Sequence, residues 1–107
     1  MNGDVQETKV KGLPGMSPAL GVELGNAIVK AVRAGNLVRV DLSGIERMTP
    51  SVANAIVLTV IEAVGEAQFG SHVLVETESA EIQDSWDKAV ARYRRGIRLS
   101  TQRPRSA

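Results

Sequence analysis

The sequence predicts an α/β fold: a small, mostly parallel sheet of three to five strands carrying about three helices. Two observations point there. Helical and strand-like segments alternate along the chain in the order helix, strand, helix, strand, helix. The strand-like segments, LVRVDL and HVLVE, are dense in β-branched residues, and the helical ones repeat apolar residues at three- and four-residue spacing. Right-handed crossovers are expected between the strands. A length of 107 residues is that of one domain, placed at 1–101, with 102–107 as a mobile basic tail.

Met1 to Gly15 is polar and Gly-rich, with a short strand expected around Val5 to Val10. Ser17-Pro18 reads as a helix start, with Ser at the N-cap and Pro at the first helical position. Leu20, Leu24, Ala27, Ile28, Ala31 and Val32 form the apolar stripe of this first helix. Glu23, Asn26, Lys30 and Arg33 form its polar one. Gly35-Asn36 ends it. Leu37 to Leu42 is nearly continuous in apolar character, which predicts a central strand, and Ser43-Gly44 breaks it.

Thr49-Pro50 repeats the start device, and a second helix is expected from Pro50 to about Ala67. It is apolar almost all round, with only Asn54, Thr59, Glu62, Gly65 and Glu66 interrupting. One helix on one sheet face needs one apolar stripe, so the surplus implies either deep burial or a second contact surface such as a partner or a second copy. Gln68 to Ser71 reads as a turn, His72 to Glu76 as a strand, and Ser79 as the cap of a third helix. The buried stripe of that helix is Ile82, Trp86, Ala89, Val90 and Tyr93. Gly96 is expected to stop it, with Ile97 to Thr101 as a short last strand.

Composition narrows the function. Cysteine is absent, so there is no disulfide framework and no thiolate metal site, which fits a cytoplasmic protein. The most apolar stretch, Ala55 to Val64, is ten residues, broken by Thr59 and Glu62, against the about 20 of a membrane span. With 3% aromatic residues there is little material for a base-stacking platform. No Gly-rich phosphate loop or dinucleotide fingerprint occurs at a strand-to-helix junction. His72 is the only histidine. The expectation is therefore a non-catalytic domain with no cofactor and no metal.

The net charge of +1 hides an asymmetry. Residues 1–91 hold seven basic and twelve acidic side chains, and the six arginines 92, 94, 95, 98, 103 and 105 follow with no acid among them. An Arg-rich end offers attraction to nucleic acid as one alternative function. A second alternative is a small-ligand or enzymatic site near Asp41 and Ser43, at the carboxyl end of a strand.

The most informative stretch is Val38 to Ile56, read as strand, loop and helix start. Its Asp41-Leu42-Ser43 strand end and Ser-led apolar helix resemble the STAS family, the domains of anti-sigma factor antagonists and sulphate transporters. The closer resemblance is to bacterial STAS-like domains of unknown function, and it covers roughly Ser17 to Gly96. In the antagonists, an Asp-Ser-Ser-Gly step enters the helix, and a partner anti-sigma kinase phosphorylates its second Ser. Thr49 falls on the Asp, Pro50 on the first Ser, Ser51 on the phosphorylated Ser and Val52 on the Gly. The resemblance implies a protein-interaction and signalling module that docks an anti-sigma-like kinase around Thr49, Pro50, Ser51 and Asn54, with Ser51 as the phosphorylation site.

Residue chemistry describes that site independently. With Thr49 as N-cap, Ser51 lies in the first helical turn, beside free backbone N–H groups and the positive helix end. A phosphate there adds about −1.5 to −2 charges to a docking surface. A homodimer through the second helix is the other expected use of its apolar surplus.

Overall fold

The start devices work as the residue types dictate. In a computed structural model that describes residues 6–13 and 15–102, with side chains as far as Tyr93, Ser17 caps α1 (Pro18–Arg33) through a bond from the Leu20 N–H to its Oγ at 3.2 Å. Thr49 caps α2 (Pro50–Val64) in the same way, with the Val52 N–H donating to its Oγ1 at 3.3 Å. At the far end of α1, Gly35 takes φ +88°, a conformation that disfavours any side chain, and the Gly35 and Asn36 N–H groups close the last turn onto Val32 and Ala31.

Three strands, β1 (Glu7–Lys11), β2 (Leu37–Asp41) and β3 (Val73–Glu76), form one parallel sheet in the order β1-β2-β3. Glu7 pairs with Leu37 and Lys11 with Asp41; Val38 pairs with Val73 and Asp41 with Glu76. The LVRVD strand is thus central, as its composition predicts. Each crossover steps the same way across the sheet, so right-handed connections place α1 and α2 on one face. Burial agrees: Val38 and Val40 are fully buried, and Thr8, Val10, Val73 and Val75 on the same face are partly so. The other face, with Glu7, Lys9, Lys11, Leu37, Arg39 and Leu74, is open among the described residues. Arg39 lies across it, donating to Glu7 and Glu76 at 2.8 Å each.

The expected second helix is two helices. Gly65, at φ +93°, breaks the rod after Val64, and α3 (Glu66–His72) follows where a turn was expected at Gln68 to Ser71. Phe69 holds α3 down: it is 4% exposed and stacks on Trp86 with ring centroids 6.1 Å apart. His72 consequently ends a helix instead of opening a strand.

Ser79 caps α4 (Ala80–Gln102), the Ile82 N–H bonding its Oγ at 3.2 Å. This helix runs through Gly96 and replaces the strand expected at Ile97 to Thr101. One glycine costs a helix about 1 kcal/mol, and its neighbours Arg94, Arg95, Arg98 and Leu99 are good helix formers. The helix also crosses the expected boundary between domain and tail, and the rest of that tail, 103–107, lies outside the described residues.

The apolar surplus of α2 is taken up inside the chain. Val52, Ala53, Ile56, Val57, Val60 and Ile61 are all buried, because α2 meets the core below, α1 on one flank and α4 on the other. Leu58, 40% exposed, is the large apolar side chain of α2 that faces out. Against α1 the approach is close. A Cβ on Gly21 would lie 3.1 Å from the Ala55 Cβ and from the Val52 carbonyl, and one on Gly25 only 2.8 Å from the Thr59 Cβ. Two glycines one turn apart thus let the backbones meet.

Candidate functional site

All three parallel strands end on one edge of the sheet, and α1, α2 and α4 begin there. Open α/β sheets place ligands and partners on this edge. Asp41 closes the edge at the centre. Its Oδ1 accepts from the Ser43 N–H at 2.9 Å and from the Ser43 hydroxyl at 2.6 Å, and its Oδ2 stands 3.7 Å from the Lys9 ammonium. These bonds to Ser43, with help from Lys9 and Lys11, hold the Asp41 carboxyl below the usual carboxylate range, against the opposing effect of its burial. Asp41 and Ser43, the pair at the expected ligand site, are therefore bonded to one another in an Asx turn that starts the loop. Ile45 and Met48, 4% and 7% exposed, anchor the middle and end of that loop in the core.

This anchored loop presents the expected docking residues. Thr49, Pro50 and Ser51 are exposed and Asn54 is half-buried. Beside them opens a cleft of about 420 Å³ between the loop and the first turns of α4, lined by Arg47, Met48, Thr49, Glu81, Ile82, Asp84 and Ser85. The Ser85 hydroxyl reaches the Met48 carbonyl at 3.4 Å across it. Thr49 joins the cleft; Pro50, Ser51 and Asn54 do not line it. Along α2, Ser51, Leu58 and Glu62 are exposed and Asn54 partly so, at spacings that put them in one outward stripe.

At the start of α2, Pro50 has no N–H, and the Val52 and Ala53 N–H groups bond Thr49. The Ser51 N–H is the remaining donor of the first turn. Residue-type reasoning passed over Arg47, Glu81 and Asp84, which bring charges of both signs to the cleft. Nothing local marks them, since only the packing of α4 against α2 joins the two segments. It also passed over Arg39 and its two carboxylates, although the charged alternate positions of ETKVK and LVRVD carry that signal.

Among the described residues no cluster of His, Asp or Glu is placed to hold a metal ion, and no single helix is long and apolar enough to cross a membrane. No family model, curated protein or solved structure matches the chain.

Proposed function

We propose that this chain is a protein-interaction and signalling module, of the kind the STAS resemblance implies, that docks its partner on the amino-terminal end of α2. The observation that carries the reading is the exposure of Thr49, Pro50 and Ser51 on a loop whose own apolar residues, Ile45 and Met48, are buried. A rigid, exposed helix start is a recognition surface that loses little conformational entropy on binding. The adjoining cleft with Arg47, Glu81 and Asp84 gives a partner side chain polar groups to meet.

Ser51 is the switch in this reading. A phosphate on it stands at the positive start of a helix with one remaining N–H donor, and its added charge on an exposed docking surface changes what the partner meets. The partner is an anti-sigma-like kinase, which both docks and phosphorylates. The test is affinity capture from the native host with wild type, Ser51→Ala and Ser51→Asp. Wild type and Ser51→Ala are expected to retain the same partner and Ser51→Asp to release it. Equal capture by all three, with no phosphate on Ser51 in protein from that host, overturns the switch.

A further inference from the structure

We infer that two copies of this chain join edge to edge through β1, forming one continuous six-stranded sheet about a two-fold axis. Three observations converge on that edge.

The first is direction. The Leu37 N–H donates to the Gln6 carbonyl at 2.8 Å and the Gly12 N–H to the Asp41 carbonyl at 2.9 Å. In a parallel ladder alternate residues face the neighbour, so the even-numbered residues of β1 bond β2. The N–H and C=O groups of Glu7, Lys9 and Lys11 then point to the outer edge, where the described residues place no strand.

The second is charge. Centred on Lys9, antiparallel pairing of β1 with itself sets Glu7 opposite the partner's Lys11, and Lys11 opposite the partner's Glu7. Opposite charges on directly facing residues stabilise a strand pair. In that register the two Lys9 ammoniums meet at the axis, a like-charge contact that is offset by the Asp41 carboxylate 3.7 Å from each in its own chain. Shifting the centre one residue toward Val10 sets Lys9 against the partner's Lys11, which is repulsive, whereas shifting it toward Thr8 sets Glu7 against the partner's Lys9, so the charges favour the two registers centred on Lys9 and Thr8. Either register leaves Glu7 able to keep Arg39, because a carboxylate accepts several hydrogen bonds.

The third is an apolar groove beside this edge on the helix side. It measures about 250 Å³, and Val10, Leu13, Met16, Leu20, Leu24 and Ala27 supply its apolar lining. Leu13 is 53% exposed. A two-fold perpendicular to the sheet keeps both α1 helices on the same face, so the two grooves oppose each other across the axis and are buried together. Such an interface is isologous and closes on two copies. It leaves the amino-terminal end of α2 open, and so is independent of the partner docking proposed above.

The experiment measures mass by sedimentation equilibrium from about 1 to 100 μM, the range of a moderate dimer. Wild type is expected to sediment as a dimer at the upper end. Lys9→Pro removes an outward N–H and leaves the β1–β2 ladder whole. It also removes the ammonium beside Asp41, so Lys9→Ala, which loses that charge and keeps the N–H, is the control, and it is expected to dimerise more tightly than Lys9→Pro. Lys9→Pro deletes one bond from each copy and is expected to weaken dimerisation on the order of tenfold or more, with an unchanged circular dichroism spectrum. The chain has no cysteine, so Lys9→Cys places one thiol from each copy beside the axis, directly opposed in the register centred on Lys9 and diagonal in the one centred on Thr8. Facing residues there stand about 5.5 Å apart at Cα, within disulfide reach. Diamide is expected to link Lys9→Cys much faster than Leu74→Cys, on the open face of β3. Monomeric wild type at 100 μM, undiminished dimerisation of Lys9→Pro, or equal linking rates of the two cysteine variants overturns the proposal.

Discussion

Asp41 shows how one side chain ties local geometry to the solution behaviour of the protein. Its carboxylate holds Ser43 by two bonds, so its folded pKa lies below that of the unfolded chain. The sign follows from linkage. The stabilisation is present above the unfolded carboxylate range and disappears as pH falls through the depressed folded value. Ser43→Ala is therefore expected to lower the thermal midpoint at pH 7, and the gap to wild type should narrow from about pH 4 downward. Thermal melts across that range check it; a gap constant with pH would show that the Asp41 charge contributes nothing. Ser43 itself is legible as a strand breaker. That it and Asp41 bind each other is not legible, because a strand-end Asp reads equally as a ligand for something else.

At the scale of elements, the pairing of α1 with α2 depends on two positions without side chains. Gly25→Ala drives a methyl to 2.8 Å from the Thr59 Cβ and 3.2 Å from the Ile56 carbonyl, and the carbonyl belongs to a buried helix with nowhere to retreat. Overpacking costs about 1–3 kcal/mol, which offsets the helix-propensity gain of alanine, about 1 kcal/mol, and a net loss of up to about 2 kcal/mol is expected. Gly21→Ala, with 3.1 Å approaches, should cost less. Urea unfolding of both variants measures the order, and a stabilised Gly25→Ala would refute the close crossing. The helix starts were legible because Ser17-Pro18, Thr49-Pro50 and Ser79 each act within one turn. The break at Gly65 was not, because a lone glycine in a helical pattern is usually tolerated, and it is the burial of Phe69 against Trp86, on distant α4, that makes the new direction worthwhile.

Among the described residues the molecule is lopsided: helices cover one face of the sheet and leave the other to water. Parallel sheets are commonly covered on both faces. Here the open face carries Glu7, Lys9, Lys11 and Arg39 at alternating positions, which suits it to solvent. The two faces should respond differently to truncation. Val40→Ala, on the covered face at 0% exposure, is expected to cost about 2 kcal/mol. Leu74→Ala, on the open face at 57% exposure, should stay within about 0.5 kcal/mol. Chemical unfolding decides it, and equal losses would mean that the open face is covered in solution. The α/β class and the central place of β2 could be read from chain order and β-branched runs. The bare face was only half legible: the charged alternate positions of ETKVK and LVRVD point to it, but it is the parallel register beside ETKVK that stacks Arg39 with Lys9 and Asp41 with Lys11 on one face.

The Phe69–Trp86 stack has a use beyond packing. Trp86 is the only tryptophan, 5% exposed, and it sits where α3 meets α4. The emission colour of the protein therefore reports one joint and no other. A red shift that precedes the loss of helical ellipticity on heating would time the undocking of α4 separately from the melting of the sheet, without any added label.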